Sequence, residues 1–116
     1  MKSLAQRETR VNPLQNYENE EGRKNMTNQE RVIEFMKTFG QEVKELPAWP
    51  DEKTLDLRIN LIEEEVDELF DGVDRRDMKN VAKELVDILY VVYGMGASLG
   101  INLDKCFKEV HHSNMS

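Results

Sequence analysis

The stretch "KELVDILYVVYG", residues 83–94, is the most apolar part of a chain that is otherwise strongly polar. The segment from about Asp77 to Leu99 that contains it is apolar on nearly every face in its second half, which is typical of the central helix of a bundle. Two carboxylates, Glu84 and Asp87, nevertheless lie one helical turn apart in it. A buried carboxylate is costly unless it is paired, hydrogen-bonded or bound to a metal, so the rest of the chain must supply a partner.

Capping signals and apolar periodicity predict three further helices around this segment. In the first, Thr27 and Glu30 form a capping box before a run of apolar residues. In the second, apolar residues recur at steps of three and four between residues 55 and 69. Thr27, Asp51 and Asn102 are the predicted caps of the first, second and fourth helices, and the third is predicted to start at about Asp77. The first three helices are predicted to end at Gly40, Gly72 and Gly100. No strand pattern competes, so the predicted fold class is all-α, a four-helix bundle-like domain.

Composition divides the 116-residue chain into a tail and one domain. Residues 1–26 are too polar to bury much surface and are interpreted as a flexible tail, and residues 27–116 as the folded domain. The net charge is −7, and its acidic excess belongs to the domain. Binding to a nucleic-acid polymer is therefore not expected, since that needs a basic face. A phosphate-bearing small molecule can still bind if divalent cations lie between carboxylates and phosphates.

Cysteine content and hydropathy indicate where the protein acts. Cys106 is the only cysteine and is interpreted as a core residue in a reducing, intracellular setting. No apolar run approaches the roughly 20 residues that span a bilayer, and no secretory signal precedes the domain. We therefore expect a cytoplasmic protein without a membrane partner.

The second helix contains a further acidic group, in the sequence "LIEEEVDEL" (residues 61–69). Glu64, Glu65 and Glu68 fall on one arc of this helix, and antiparallel packing against the third helix would bring them opposite Glu84 and Asp87. Such converging carboxylates without matching Lys or Arg would repel one another strongly, whereas about two to three Mg²⁺ or Mn²⁺ ions would relieve the repulsion. Either motif alone could be a solvated acidic face, but together they indicate a metal site.

The motifs "LIEEEVDEL", "AKELVDILYVVYGMGASLGI" and "EVHHSNMS" resemble those of the all-α nucleoside triphosphate pyrophosphohydrolases. This superfamily includes MazG, the dimeric dUTPases and phosphoribosyl-ATP pyrophosphohydrolase, and the small MazG-like proteins are the most similar subgroup. The resemblance covers roughly residues 30–116. It implies a MazG-type fold and a metal-ligand set, which consists of Glu64, Glu65, Glu68, Glu84 and Asp87.

The resemblance also implies a reaction, the hydrolysis of a nucleoside triphosphate, favoured to be a dNTP, to the monophosphate and pyrophosphate, in control of the nucleotide pool. Carboxylate-held Mg²⁺ or Mn²⁺ would activate the water, and Glu65, with Glu64 as second candidate, would accept its proton. The family often continues after "SNMS" with a lysine and a basic segment, and phosphate contacts from such a segment are not part of the prediction for this sequence. Lys83 and Asn114, with Ser116, are therefore the candidates for contacts to phosphate.

Three alternatives remain open from the sequence. One is an activity like that of phosphoribosyl-ATP pyrophosphohydrolase. A second is a di-iron site, since Glu109 and His112 form an E-x-x-H pattern, although near the chain end. A third is a non-enzymatic acidic helical module for dimerisation, whose carboxylates face a basic partner.

The remaining predictions concern the base and the assembly. By elimination, the nucleoside pocket is placed at the loop "GQEVKELPAWP" (residues 40–50), where Trp49 would stack on the base and Gln41 would hydrogen-bond to it. The competing interpretation is that Trp49 plugs the core. A thin core and a third helix that is apolar on many faces predict a homo-oligomer, a dimer or a dimer of dimers, as the resemblance also implies.

Overall fold

A computed structural model describes residues 25–116, and this part of the chain is entirely helical. It contains α1 (Asn28–Thr38), α2 (Glu52–Asp74), α3 (Met78–Leu99) and α4 (Leu103–Asn114), with no strand in the described range. The all-α class and the number of helices are thus confirmed. The predicted flexible tail over residues 1–26 falls outside the described residues except for its last two, so the domain boundary stays a prediction.

The first, second and fourth helices begin at the predicted caps, and the third begins next to Asp77, where its start was predicted. Thr27 accepts a hydrogen bond from the backbone N–H of Glu30, whose side chain accepts one in return from the Thr27 N–H, which completes the capping box. The side chains of Asp51, Asp77 and Asn102 cap α2, α3 and α4 in the same way, each accepting from the backbone N–H three residues later. Local sequence therefore determines where the helices start.

The predicted end of the second helix at Gly72 is wrong. Helix α2 continues through Gly72 to Asp74, and the left-handed residue of the turn is Arg76, with φ of 54°. Gly72 is buried against α3, where a Cβ atom would lie 3.2 Å from Asn80 Nδ2 and 3.3 Å from Val81 Cγ2. This glycine lets two helices approach closely instead of ending one of them.

Helix α3 is the central element, as its apolar sequence predicted. It packs antiparallel against α2 and also contacts α1. The core between α1 and α3 is small: Val32, Met36 and Ala97 are fully buried, and partly buried aromatic and aliphatic side chains surround them. The side chains of this core pack against one side of α3, while Glu84 and Asp87 lie on the side that faces α2.

The loop between α1 and α2 is held against the C-terminal end of α3. The backbone N–H groups of Lys44 and Ala48 donate to the carbonyl oxygens of Ala97 and Leu99, at 3.1 and 3.0 Å. Gly100 follows with φ of 72°, and a Cβ atom there would collide with the Leu46 carbonyl group. The loop thus has a fixed position at one end of α3.

Cys106, which was expected in the core, and Trp49, for which a core position was the competing interpretation, both lie at the surface of the described chain. Trp49, in the same loop, is 80% exposed, so the interpretation that it plugs the core is wrong. Cys106 is also exposed. Trp49 is pinned in an exposed position because the backbone of its loop, and not its indole ring, makes the contacts with α3.

Gln29 links the start of α1 to the turn between α3 and α4. Its buried side chain donates through Nε2 to the carbonyl oxygen of Ile101 at 2.8 Å, and its Oε1 accepts from the N–H of Leu103 at 2.7 Å. The Leu103 N–H belongs to the first turn of α4 and has no acceptor within that helix. Gln29 therefore caps α4 from a distant part of the chain.

We expect Gln29→Ala to lower the free energy of unfolding by about 2 to 4 kcal/mol, since it removes two hydrogen bonds and leaves two backbone groups without these partners. Urea unfolding followed by circular dichroism measures the change. Lys37→Ala, at an exposed position of the same helix, is the matched control and should change stability by no more than about 0.5 kcal/mol. Equal stability of the two variants would contradict the proposed link.

Large apolar side chains remain exposed on the side of α3 that faces away from α2. Met78, Leu85 and Leu89 share this face and are 80%, 48% and 50% exposed. Helix α4 has no buried residue, although Phe107 and Val110 form an apolar stripe along it. We call these five residues the α3–α4 apolar face. Within residues 25–116, no single helix has the length and hydropathy of a membrane span. Only α3 and α4 taken together, as a pair bent by 110°, have that length and hydropathy.

Candidate metal and catalytic site

The acidic residues of α2 and α3 meet where the two helices pack against each other. Glu65 and Glu68 come from α2, and Glu84 and Asp87 come from α3. One carboxylate oxygen of each residue lies within 4.8 Å of the corresponding oxygens of the other three. The structure therefore brings together four of the five carboxylates that the sequence proposed as ligands. We call this group the four-carboxylate cluster.

A glycine on each side of the cluster lets the two helices pack close together. At one end Gly72 lies against Asn80, and at the other end Gly94 lies against the side chain of Arg58. The antiparallel register between these two contacts places Glu65 opposite Asp87 and Glu68 opposite Glu84. Close approach is what moves the carboxylates out of bulk water.

The cluster is buried unevenly, and its oxygens are only partly hydrogen-bonded. Glu84 and Asp87 are 2% and 4% exposed, whereas Glu68 is at the surface. Glu65 Oε1 and Glu84 Oε2 are buried and receive no hydrogen bond from residues 25–116. A buried carboxylate oxygen without a donor is unfavourable, so these two atoms mark a place where a cation would be stabilising.

Lys83, the predicted candidate cation near the site, lies at the edge of the cluster, so one of the converging carboxylates does have a matching lysine. Lys83 Nζ is 2.6 Å from Glu84 Oε1. The hydrogen bond to Glu84, followed by the charges of Glu84, Asp87 and Glu68, raises the pKa of Lys83 above its usual value against the effect of burial. Lys83 therefore stays protonated and neutralises one of the four carboxylates.

The remaining negative charge shifts the pKa values of the other acids. Burial, together with hydrogen bonds to Glu68 and Glu84 and the charge of Asp87, raises the pKa of Glu65 to about 8. Burial and a hydrogen bond to Glu84 also raise the pKa of Glu68. Burial would raise the pKa of Glu84 as well, but hydrogen bonds from Lys83, Glu68 and Glu65 outweigh it and lower the value. In the absence of a metal, the cluster thus retains a proton on Glu65 near neutral pH.

Comparison with known proteins identifies the family. The sequence model of the phosphoribosyl-ATP pyrophosphohydrolase family matches residues 32–114, which includes the whole four-carboxylate cluster. The chain belongs to this family. As part of the MazG-like superfamily of nucleoside triphosphate pyrophosphohydrolases, the family confirms the resemblance found in the sequence. Its activity is the release of pyrophosphate from a nucleotide-like substrate.

A viral protein is also similar to this member of the phosphoribosyl-ATP pyrophosphohydrolase family. An uncharacterized protein of Acanthamoeba polyphaga mimivirus is 46% identical over 82 residues, which cover 67% of this chain and 33% of the viral protein. The chain therefore spans about a third of the length of that relative.

Members of the phosphoribosyl-ATP pyrophosphohydrolase family are typically metal-dependent, and the cluster fits this requirement. All four donors are carboxylate oxygens, the ligands preferred by hard divalent cations such as Mg²⁺ and Mn²⁺. Two buried carboxylate oxygens receive no hydrogen bond from the described residues, and burial followed by neighbouring carboxyl groups raises the pKa of Glu65. A divalent cation at this place would stabilise the ionised carboxylates. The identity of the metal and the number of ions stay predictions.

Glu64 lies outside the four-carboxylate cluster of this pyrophosphohydrolase-family chain. Its side chain is exposed, while the neighbouring Glu65 lies within the cluster. Helical periodicity alone could not separate these adjacent residues, because both fall on the arc beside the apolar stripe. The predicted roles of Glu64 as a ligand or base remain untested, and Glu65 is the better placed of the two.

The three predicted substrate contacts outside the cluster lie in different environments. Gln41 is half-buried, and its Oε1 accepts a hydrogen bond from Arg58 Nη2 at 3.0 Å. Trp49 is exposed in the loop that follows. Asn114 is the last residue of α4 and is exposed. It is not part of the four-carboxylate cluster. Their roles in binding stay predictions.

Sequence reasoning missed Arg58, a buried residue on α2 that is 6% exposed. It lies seven residues before Glu65 and hence on the same face of the helix. That spacing could have revealed Arg58 in the sequence. If the acids of α2 face α3, a charged residue on the same helix face must also face α3 and not solvent. The predicted apolar stripe lies beside this face, which explains why Ile59 in that stripe is 44% exposed.

Proposed function

We propose that the protein hydrolyses a nucleoside triphosphate, and more specifically a dNTP, to the nucleoside monophosphate and pyrophosphate with Mg²⁺ or Mn²⁺, and so controls the cytoplasmic nucleotide pool. The four-carboxylate cluster carries this proposal. A triphosphate is strongly anionic and would be repelled by the cluster alone, whereas metal-bound carboxylates attract it. The family match supports the type of bond that is cleaved.

The residues of the cluster have separate tasks in this reaction. Glu65, Glu68, Glu84 and Asp87 would hold the metal, which supplies charge neutralisation of the triphosphate and acidification of the attacking water. The water oxygen forms a bond to the α-phosphorus as the bond from that phosphorus to the pyrophosphate oxygen breaks.

We propose that Glu65 is the base that accepts the proton of the attacking water. Of the two candidate bases, Glu65 is the one whose carboxylate lies within the cluster, where a metal-bound water would be held. Lys83, held at the edge of the cluster by Glu84, is a donor within reach of a phosphate oxygen there. Both assignments use side chains that α2 and α3 already hold in position.

Phosphoribosyl-ATP is the second candidate substrate, because the family whose sequence model matches the chain acts on it. The same cluster would serve, since this reaction also releases pyrophosphate from a nucleotide. What differs is the base edge, which carries a second ribosyl phosphate. The loop of residues 40–50 that carries Trp49 has one basic residue, Lys44, and its ammonium group is paired with Glu42 at 3.4 Å. This part of the described chain offers no cation reserved for the additional phosphate, which favours a simple nucleoside triphosphate.

A pyrophosphate-release screen tests the proposal. The common NTPs and dNTPs, dUTP and phosphoribosyl-ATP are each incubated with the protein and Mg²⁺ or Mn²⁺, with excess chelator as the control. We expect metal-dependent release from one or more dNTPs and none from phosphoribosyl-ATP. Preferential release from phosphoribosyl-ATP would replace the first proposal by the second, and no release from any of these compounds would contradict both.

Trp49 is expected to bind the base by stacking. Stacking on an aromatic side chain contributes about 1 to 3 kcal/mol, so Trp49→Ala should raise KM about five- to a hundredfold with a smaller effect on kcat. Because Trp49 is exposed, the variant should keep the stability of the wild type. Trp49→Phe keeps an aromatic ring and serves as the matched control. A KM equal to that of the wild type in Trp49→Ala would place the base elsewhere.

We also propose that the acting species is a homodimer or a dimer of dimers. The α3–α4 apolar face supports this assembly, since a second copy of the chain would cover side chains that α1 and α2 leave exposed. A contact between identical faces is self-complementary and closes on itself, which is the usual route to a dimer.

A further inference from the structure

Arg58 is a buried cation within the packed interface of α2 and α3. Its Nη1 approaches α3 so closely that a Cβ atom at Gly94 would lie 2.9 Å from it. Its Nη2 donates to Gln41 Oε1 at 3.0 Å. Its Nε is buried and has no hydrogen-bond partner among residues 25–116. Two helices and the loop therefore enclose a guanidinium group whose one described hydrogen bond goes to Gln41.

Burying this group is unfavourable. Burial lowers the pKa of Arg58, and within the described part of the chain no neighbouring carboxylate offsets that effect. A methionine or leucine would fill the same space without the cost of removing a charge from water. An arginine at this position needs a role that an apolar side chain cannot perform, and donation to Gln41 is the role that the contacts show.

The same contact orients the amide group of Gln41. A guanidinium group has hydrogen-bond donors only, so the atom that Gln41 turns towards Arg58 must be its oxygen. The backbone of Gln41 is also fixed, because its N–H donates to the carbonyl oxygen of Met36 at 2.8 Å. With backbone and amide oxygen both held, the half-buried side chain has its NH₂ group left for a ligand.

We propose that Arg58 is a positioning residue that fixes Gln41 as a hydrogen-bond donor to the nucleotide base, and so favours bases with an acceptor oxygen on the edge that Gln41 reads. Uracil, thymine and guanine carry such a keto oxygen, whereas cytosine and adenine present an amino group at the equivalent place. This inference rests on the proposed function. It adds the class of base and the residue that selects it.

The position of Arg58 along α2 agrees with this role. Seven residues, or about 10 Å of helix, separate Arg58 from Glu65. The carboxylates at Glu65 would hold the triphosphate end of a nucleotide, and Gln41 would meet its other end, beside the loop that carries Trp49. One extended ligand can thus reach both groups along the interface of α2 and α3.

Gln41→Glu separates recognition from structure. A glutamate has the shape of glutamine and would pair with Arg58 through opposite charges, so the unfolding midpoint should stay the same or rise. The variant nevertheless has no N–H group to offer the base. We expect the wild type to bind the α,β-imido analogue of dUTP at least about tenfold more tightly than that of dCTP, and Gln41→Glu to lose this ratio. Titration calorimetry with Mg²⁺ measures both affinities.

Arg58 variants test the positioning step itself. Arg58→Met frees the Gln41 amide to rotate, so the dUTP-to-dCTP ratio should fall towards one through KM, with kcat for the better substrate changed less. Arg58→Lys keeps one donor and should restore part of the ratio. If Arg58→Met fails to fold, Gln41→Glu and Arg58→Lys still test whether Arg58 positions Gln41 for base recognition. A ratio unchanged in Gln41→Glu would overturn the inference, because a purely structural Gln41 predicts that result.

The inference and the proposed function fail in different ways. Discrimination between the two analogues by the wild type, lost in Gln41→Glu, would support the inference even if no nucleotide released pyrophosphate. Pyrophosphate release together with an unchanged ratio in Gln41→Glu would overturn the inference and leave the function standing. Absence of any preference for the dUTP analogue in the wild type would overturn the inference whatever the turnover.

Discussion

Asp87→Asn and Glu68→Gln are each expected to lower kcat for pyrophosphate release by about a thousandfold or more, while the helical fold survives. Each change removes one of the four carboxylates that would hold the metal, and a thousandfold loss corresponds to about 4 kcal/mol of transition-state stabilisation. The two residues lie on different helices, so a similar loss in both would identify the cluster, and not one helix, as the site.

Stability should move in the opposite direction from activity. Burial, followed by the neighbouring carboxyl groups, raises the pKa values of Glu65 and Glu68, and in their ionised forms the carboxylates of the cluster repel one another. Replacing one carboxylate by its amide relieves repulsion, so the metal-free variants should be as stable as the wild type or more stable. Urea unfolding in excess chelator measures this. Added Mg²⁺ should stabilise the wild type more than either variant, because only the intact cluster binds it fully.

Asp67→Asn is the control for these variants, since Asp67 is an exposed carboxylate on the same helix but outside the cluster. It should retain the activity of the wild type. Full turnover by Asp87→Asn or Glu68→Gln, or by the wild type in excess chelator, would contradict a metal site at these residues. Loss of helical structure in both variants would show that the cluster stabilises the fold, against the repulsion argument.

Local signals explain how much of the structure was predictable. A helix cap depends on a side chain and a backbone N–H only three residues apart, and the predicted caps Thr27, Asp51 and Asn102 were correct. The approximate start predicted for the third helix, about Asp77, also agrees with the structure. The end of α2 was not, because Gly72 has two possible uses and only the neighbouring helix decides between them. Contacts between helices cannot be predicted from the local sequence alone.

The same distinction applies to the site. The spacing of Glu65 and Glu68, and of Glu84 and Asp87, placed each pair on one face of its helix, and the structure brings the two pairs together. Spacing could not separate Glu64 from Glu65, since the two residues lie at the two edges of one arc of about 100° that also contains Glu68. Arg58 was missed because a lone arginine on a charged helix is usually exposed, and its burial depends on the room that Gly94 leaves on α3.

Leu89→Lys is expected to convert the protein from a homo-oligomer into a monomer at micromolar concentration. Leu89 lies on the α3–α4 apolar face, where it is 50% exposed, on the side of α3 opposite to Asp87. Central apolar residues of an interface often contribute about 2 to 4 kcal/mol, so loss of the leucine alone should weaken association roughly thirty- to a thousandfold. A lysine facing its own copy adds repulsion between like charges.

Light scattering after size-exclusion chromatography measures the mass of each species. The wild type should have the mass of a dimer or a dimer of dimers, and Leu89→Lys that of one chain. Glu45→Lys, at an exposed polar position of the loop, introduces the same side chain away from this face and should keep the mass of the wild type. A monomeric wild type would contradict the proposed assembly, and an oligomeric Leu89→Lys would place the interface elsewhere. Because Leu89 lies on the far side of α3 from the carboxylates, the monomer should still bind Mg²⁺, so that assembly and metal binding can be measured separately.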